Sequence, residues 1–294
     1  MEQTCLYPTE SHSDMPIVNV ASVKKLSPFR YPGGKTWLVP TVRKWLKTLN
    51  PKPELFIEPF LGGGIISLTV ANENLAKHII MSELDDEVAS VWSVLLYGNV
   101  DQLVQSILSF NMTVENVKER FSLSPTTPEE KAFQTILKNR VYHGGIMANG
   151  SGLIKNGENG KGIKSRWYPK TIIKRMRKIS SLSFKLEFIE GDGFNLIDRY
   201  LDNENSVFFV DPPYTASTKN AGRRLYRHYQ IEHEKLFQLF SNRAYPFMMT
   251  YDDSIEIRNL CDKYSMNYQF IPMKNTHNLK QQELIISNDL RWFP

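Results

Sequence analysis

Short apolar runs alternate along this chain with stretches whose apolar residues fall at helical spacing. The runs Leu55–Glu58, His78–Glu83, Phe184–Ile189, Val207–Asp211, Phe247–Tyr251, Tyr268–Pro272 and Leu284–Ser287 are the strand candidates. Ser206 to Val210 is apolar, β-branched and aromatic throughout, as a strand covered on both faces must be. Helices are expected over Trp37–Leu49, Ile65–Ala71, Glu87–Leu96 and Glu232–Ser241. The last places Leu236, Phe237 and Phe240 on one face together with Ile231. Such alternation predicts an α/β fold, a mostly parallel sheet with crossover helices.

Between Asn99 and Lys178 the pattern changes. Two expected helices, Val100–Phe110 and Pro128–Arg140, precede a Gly/Asn/Lys-rich stretch from Gly144 to Lys164 that is too long for an ordinary connection. We therefore expect an inserted, mainly helical subdomain (99–178) carrying a functional loop. It would interrupt a main domain formed by 24–98 and 179–294, behind a loose polar tail over 1–23.

Composition narrows the class. The apolar fraction of 41% and charged fraction of 23% are those of a soluble globular protein. Cys5 and Cys261 lie far apart and make neither a disulfide nor a metal-ligand spacing, so no metal is expected. No run reaches the roughly 20 apolar residues of a membrane span, and no basic-then-apolar leader is visible, which predicts a cytoplasmic location without a membrane partner. The net charge of +5 is modest but unevenly placed. Nine Lys/Arg stand between Ser151 and Lys178 against the single acid Glu158, leaving the rest slightly acidic. A basic block on such a scaffold suits a polyanion, although a solvated helix face and loop would look similar.

Asp211-Pro212-Pro213-Tyr214 follows the Ser206–Val210 run. Neither proline has an N–H for the ladder, so pairing must stop there. An acid, two rigid carbonyls and an aromatic ring are thereby fixed at a strand's C-terminal end, the edge where open α/β sheets bind ligands. Asp211 and the Pro212 carbonyl could accept both N–H bonds of a planar amine while Tyr214 stacks on its face. A plain strand-ending turn with a core tyrosine fits these four residues equally well.

Three further segments carry chemistry. Glu58-Pro59-Phe60-Leu61-Gly62-Gly63-Gly64 runs from a strand through a glycine turn into a helix, whose N-terminus favours a carboxylate or phosphate. It is not the dinucleotide fingerprint, which disfavours a nicotinamide cofactor. Glu83 ends the next strand, where an acid can hold a ribose diol. Glu190-Gly191-Asp192-Gly193-Phe194 adds another acid at that edge; Asp192 could bond a purine amine with Phe194 or Phe60 on a ring face, or simply cap a helix. Phe29-Arg30-Tyr31-Pro32-Gly33-Gly34-Lys35-Thr36 ends like a P-loop, but Phe29 stands where the first glycine belongs and no apolar strand precedes it.

Taken in this order, Phe29 to Lys35, Glu58 to Gly64, Glu83, Gly191-Asp192 and Asp211 to Tyr214 resemble the Dam-like N6-adenine DNA methyltransferases that use S-adenosylmethionine. The resemblance extends from Phe29 to Asn288. It implies a Rossmann-like methyltransferase sheet with helices on both faces and a target-recognition insertion. Tyr31, Gly33, Gly34 and Lys35 would lie at the methionine end of the cofactor. Glu58, Pro59, Phe60, Gly62 and Gly64 would form the turn beneath it. Glu83 would hold the ribose, Asp192 and Phe194 the cofactor adenine. Asp211, Pro212 and Tyr214 would be catalytic, Asp211 standing beside the cofactor. Tyr31 replaces the family's usual indole and Glu83 its usual aspartate, both with the chemistry kept.

The implied reaction is methyl transfer to the amine of an adenine flipped out of duplex DNA. Arg140, Lys155, Lys161, Lys164, Arg166 and Lys170 would contact the DNA, with Asn139-Arg140 resembling part of the family's recognition region. Lys219, Arg223, Arg224 and Arg227 would form a second basic loop beside the flipped base. Either cluster is also compatible with solvated surface. A cognate restriction endonuclease is a candidate partner, and monomer or weak dimer the expected state. Methylation of RNA adenine or a protein glutamine amide, or silent DNA binding, are the competing readings.

Overall fold

The computed structural model describes residues 20, 22–31, 34–148, 150–157, 160–213, 231–274 and 280–293. Seven strands form one sheet: β1 (Leu55–Glu58), β2 (His78–Glu83), β3 (Leu186–Glu190), β4 (Ser206–Val210), β5 (Phe247–Asp252), β6 (Asn267–Lys274) and β7 (Lys280–Ser287). Their order is β3-β2-β1-β4-β5-β7-β6. The first five run parallel, and β7 enters antiparallel between β5 and β6. The expected α/β class and mostly parallel sheet are therefore present.

The main-domain helices are α1 (Val39–Thr48), α2 (Ile65–Asn72) and α3 (Asp86–Tyr97); α4 (Val100–Ser109), α5 (Val114–Ser122), α6 (Pro128–Val141) and α7 (Pro169–Ser180) fill the 99–178 region; α8 (Gly193–Tyr200), α9 (His233–Ser241) and α10 (Ile255–Lys263) complete the set among the described residues. Consecutive strand residues such as Phe56 and Ile57, or Phe208 and Phe209, are all fully buried. Both faces of the sheet are therefore covered, the reason for the near-continuous apolar runs. Phe56, Met81 and Phe209 face one core with α1 to α7. Ile57, Phe208 and Val210 face the other, with Leu196 of α8, Phe240 of α9 and Ile257 of α10. Each fully buried Phe contributes roughly 2–3 kcal/mol.

The helices of the 99–178 region dock on α3 rather than standing apart. Leu103, Ile107, Phe133, Leu137 and Met176 belong to the same core as Trp92 of α3. Local capping sets their starts: Asn99 accepts from Gln102 N at 3.0 Å, Thr113 from Asn116 N at 3.1 Å, and Thr127 from Glu130 N at 3.2 Å, with Pro128 opening α6.

Four helices have no counterpart in the sequence expectation. α5 buries only Val117, so its apolar period is faint, and α7 is dominated by Lys and Arg. α8 starts inside a Gly-Asp-Gly turn signal, and α10 alternates charged with apolar residues. The strand expected from Phe184 starts instead at Leu186, because Ser183–Lys185 forms a single 3-10 turn that leaves Phe184 exposed. Among the described residues of the Gly144–Lys164 stretch and its flanks are an antiparallel bridge between Tyr142 and Leu153 and a 3-10 turn over Gly162–Arg166. No described helix is long and apolar enough to cross a membrane.

Candidate active site

Strand β1 pairs with β2 on one side and β4 on the other, so the chain's order reverses between β1 and β4. Ligands of open α/β sheets bind in the crevice outside the carboxyl ends at such a point. The segments after β1 and β4 are the glycine turn and Asp211-Pro212.

Gly62 and Gly64 have φ of +48° and +61°, a region that side chains strain. A Cβ on Gly62 would stand 2.6 Å from the Tyr31 ring, and one on Gly64 2.8 Å from Trp92. Trp92 Nε1 also donates to Gly62 O at 3.1 Å. The turn is thus clamped between Tyr31 and Trp92, which take the space that side chains at these glycines would need. Gly64, at the N-cap of α2, has no side chain to offer the helix. Glu58 supplies the cap instead, accepting from Ser67 N at 3.0 Å and from the Ser67 hydroxyl. Burial pushes Glu58 up to about 8, against the lowering effect of the Ser67 bonds.

Glu83 ties the end of β2 to the same turn. Its Oε2 accepts from Gly62 N at 2.8 Å and its Oε1 from Asp85 N at 2.9 Å. Desolvation raises it to about 7 despite both bonds. The four lone pairs of the carboxylate leave room for a further donor beside the backbone N–H groups of Gly62, Asp85 and Leu84. Beyond β3, Asp192 caps α8 by accepting from Phe194 N at 2.9 Å. Phe60 and Phe194 meet edge to face at 6.2 Å. A Cβ on Gly193 would stand 2.5 Å from Pro59 O, so α8 begins in contact with the glycine turn.

Asp211 stands half-buried after β4, with Pro212 buried behind it. Thr250 Oγ1 of β5 donates to Asp211 Oδ1 at 2.8 Å. Lys35 Nζ lies 3.2 Å from that oxygen and 2.9 Å from Glu283 Oε2 of β7. Lys35 and Glu283 are both buried, at 4% and 3% exposure of their side chains. Burial raises Glu283 and the Lys35 ammonium partly offsets that. Lys35 therefore faces two carboxylates, Asp211 and Glu283, a placement that spacing alone did not reveal. Thr250 and Glu283 were not singled out from sequence. An acid opening the apolar run Leu284–Ile286 was the available signal for Glu283; Thr250 had none.

The DNA candidates separate by exposure. Lys155, Lys161, Lys164 and Lys170 are exposed and Arg166 is half-buried. Arg140 is buried at 5% exposure and donates to Pro28 O. Burial first, and then the charges of Arg175, Arg30 and Arg166, lower it to about 9. Arg175 Nη1 donates to Ser27 O at 3.1 Å. Beside them, the Asn139 amide brackets Arg30, accepting from its N at 2.8 Å and donating to its O at 2.9 Å. Asn139 and Arg140 thus brace residues 28–30, the segment leading to Tyr31 and Lys35, against the end of α6. Gly33, Tyr214, Lys219, Arg223, Arg224 and Arg227 lie outside the described residues.

Comparison with known proteins gives one family and one curated relative. The model of the D12 class N6 adenine-specific DNA methyltransferases matches residues 31–279. The Type II methyltransferase M.MjaIII of Methanocaldococcus jannaschii is 24% identical over 252 residues, covering 77% of this chain and 84% of that protein. Among solved structures, a candidate RNA methyltransferase of Pyrococcus horikoshii overlaps 88% of this chain and 84% of its own at 10% identity and a TM-score of 0.39. The Bacillus subtilis M1A22 tRNA methyltransferase TrmK overlaps 85% of this chain and 65% of its own at 8% identity and a TM-score of 0.37.

Proposed function

The chain belongs to the D12 class N6 adenine-specific DNA methyltransferases, and we propose that it performs DNA adenine methylation with S-adenosylmethionine in the β1–β4 crevice, on an adenine flipped out of duplex DNA. The observation that carries this reading is the meeting of two elements at one sheet edge. There the glycine turn of Gly62 and Gly64 follows β1, which pairs with the strand that presents Asp211.

The crevice suits the cofactor, because Glu83 at the end of β2 and Asp192 beyond β3 set carboxylates at the same sheet edge as the glycine turn. S-adenosylmethionine, when bound, supplies an electrophilic methyl group on a sulfonium. Glu83 would accept from the ribose hydroxyls with its remaining lone pairs, and Asp192 would accept from the adenine amine, with Phe60 or Phe194 covering a ring face. Tyr31, Gly33 and Gly34 line the methionine end, while Glu58 and Pro59 hold the turn's shape.

The target amine is a poor nucleophile because its lone pair is delocalised into the ring. Asp211 and the Pro212 carbonyl accept its two N–H bonds, favour rehybridisation and stabilise the positive charge developing on N6. The surplus proton leaves N6 after transfer, so no strong base is needed beforehand. Tyr214 stacks on the flipped base. Asp211 is only 24% exposed, which a base still stacked in a duplex could not reach. Lys155, Lys161, Lys164, Arg166 and Lys170 contact phosphates, and Arg140 acts beneath them by bracing Pro28. Lys219, Arg223, Arg224 and Arg227 form a second contact. A restriction endonuclease of matching specificity is the expected companion, given that the relative is named a Type II enzyme.

The test is product identity. Purified protein, labelled S-adenosylmethionine and duplex DNA should give label in N6-methyladenine after digestion to nucleosides. Label in another base, in RNA under competition, or in a peptide amide would contradict the reading.

A further inference from the structure

Lys35, Glu283, Thr250 and Asp211 join four separate parts of the chain into one buried network. Glu283 sits on β7 with Asp252 of β5 on one side and Ile271 of β6 on the other, and is buried at 2% exposure. Burying a carboxylate there is costly unless it is paired. Its partner is Lys35 Nζ at 2.9 Å, which also reaches Asp211 Oδ1 at 3.2 Å. Thr250 Oγ1 occupies that same Oδ1 at 2.8 Å.

This arrangement raises a problem for catalysis. An ammonium beside Asp211 withdraws the negative charge that the target amine needs as it becomes positive. A second carboxylate on the far side of the ammonium returns it. We propose that Glu283 is a positioning residue for methyl transfer. It holds Lys35 so that the ammonium orients Asp211 through Oδ1 without neutralising it, leaving Oδ2 as the acceptor for the amine. Lys35 then belongs to the catalytic end of the crevice rather than to the cofactor's carboxylate. This inference rests on the proposed role of Asp211 and adds a residue that acts through it.

Glu283→Gln keeps an oxygen for Lys35 but removes the balancing charge. In single-turnover methyl transfer at saturating DNA and S-adenosylmethionine, the rate should fall by about 10- to 100-fold. The Kd of S-adenosylhomocysteine by calorimetry and that of DNA by anisotropy should stay within about threefold. Glu283→Asp should recover most of the rate. Removing the stranded ammonium as well, in Glu283→Gln with Lys35→Met, should run faster than Glu283→Gln alone, a coupling that independent sites do not give. Should Glu283→Gln fail to fold, Thr250→Val tests the same network from β5 and should slow transfer by about tenfold with both Kd values kept. A normal rate in Glu283→Gln overturns the inference. So does weakened S-adenosylhomocysteine binding with a normal saturated rate, or a double variant slower than the single one. Absence of adenine methylation by the wild-type protein counts instead against the proposed function. Wild-type turnover alongside an unimpaired Glu283→Gln counts against Glu283 alone.

Discussion

Glu58, Glu83, Asp211 and Glu283 gather at the carboxyl ends of the sheet, whereas Lys155, Lys161, Lys164 and Lys170 lie on the surface of the 99–178 region. The first group is desolvated and held by specific donors: Ser67 for Glu58, Gly62 N and Asp85 N for Glu83, Thr250 and Lys35 for Asp211. The second is solvated and close to like charges. Charge in the crevice acts over one hydrogen bond and is little screened, so it can steer a reacting atom. Charge on the loop acts over a Debye length of about 8 Å in physiological salt, so it can gather a polyanion without choosing an atom. Arg140 and Asn139 link the two regions mechanically, through residues 28–30. Chemistry and DNA affinity should therefore be separable by mutation.

The strongest separation is expected at Asp211. Asp211→Ala removes one of the two acceptors for the amine and should lower single-turnover methyl transfer by on the order of 10³ or more. Next in size is the loop. Neutralising Lys161, Lys164 and Arg166 together should weaken DNA binding and reduce the slope of log K against log salt by up to about 2.7. Filter binding from 50 to 200 mM salt would show it, and an unchanged slope would remove these residues from the interface.

Smaller effects come from the raised acids. A carboxylate that accepts ribose hydroxyls binds them better ionised, and Glu83 titrates near 7. Cofactor affinity should therefore rise with pH through that value. Glu83→Gln should lower it by about tenfold and abolish the pH dependence in calorimetry. Glu58 concerns stability alone. Its folded value of about 8 lies above the ordinary 4.5, so its contribution is complete below 4.5 and lost as pH rises through 8. Thermal unfolding should show stability declining between pH 6 and 9, with Glu58→Gln reducing the decline by on the order of 1–3 kcal/mol. An identical decline in the variant would mean that Glu58 is not the titrating group.

The two regions also differed in how legible they were. Strands β1 and β2 were bounded to the residue because their buried centres, Phe56-Ile57 and Ile79-Ile80-Met81, are apolar without interruption, a local property. The glycine turn was equally plain, since positive φ and close approach by Tyr31 and Trp92 demand glycine. What local pattern could not carry was contact between distant segments. Lys35 meeting Glu283 across 248 positions depends on β7 entering antiparallel beside β5. Arg140 was a candidate DNA contact and Asn139-Arg140 resembled part of the family's recognition region, yet burial turns them toward Pro28 and Arg30. Helix α5 was hidden because it buries only Val117, whereas in α7 the Ile172, Met176 and Ile179 period was obscured by five Lys and Arg residues.

The most direct test measures both properties on one preparation of Asp211→Ala, with labelled S-adenosylmethionine for methyl transfer and a salt titration for DNA binding. Loss of methyl transfer with the wild-type salt slope is the predicted result. Retained transfer, or a flattened slope, would contradict the division of labour between crevice and loop.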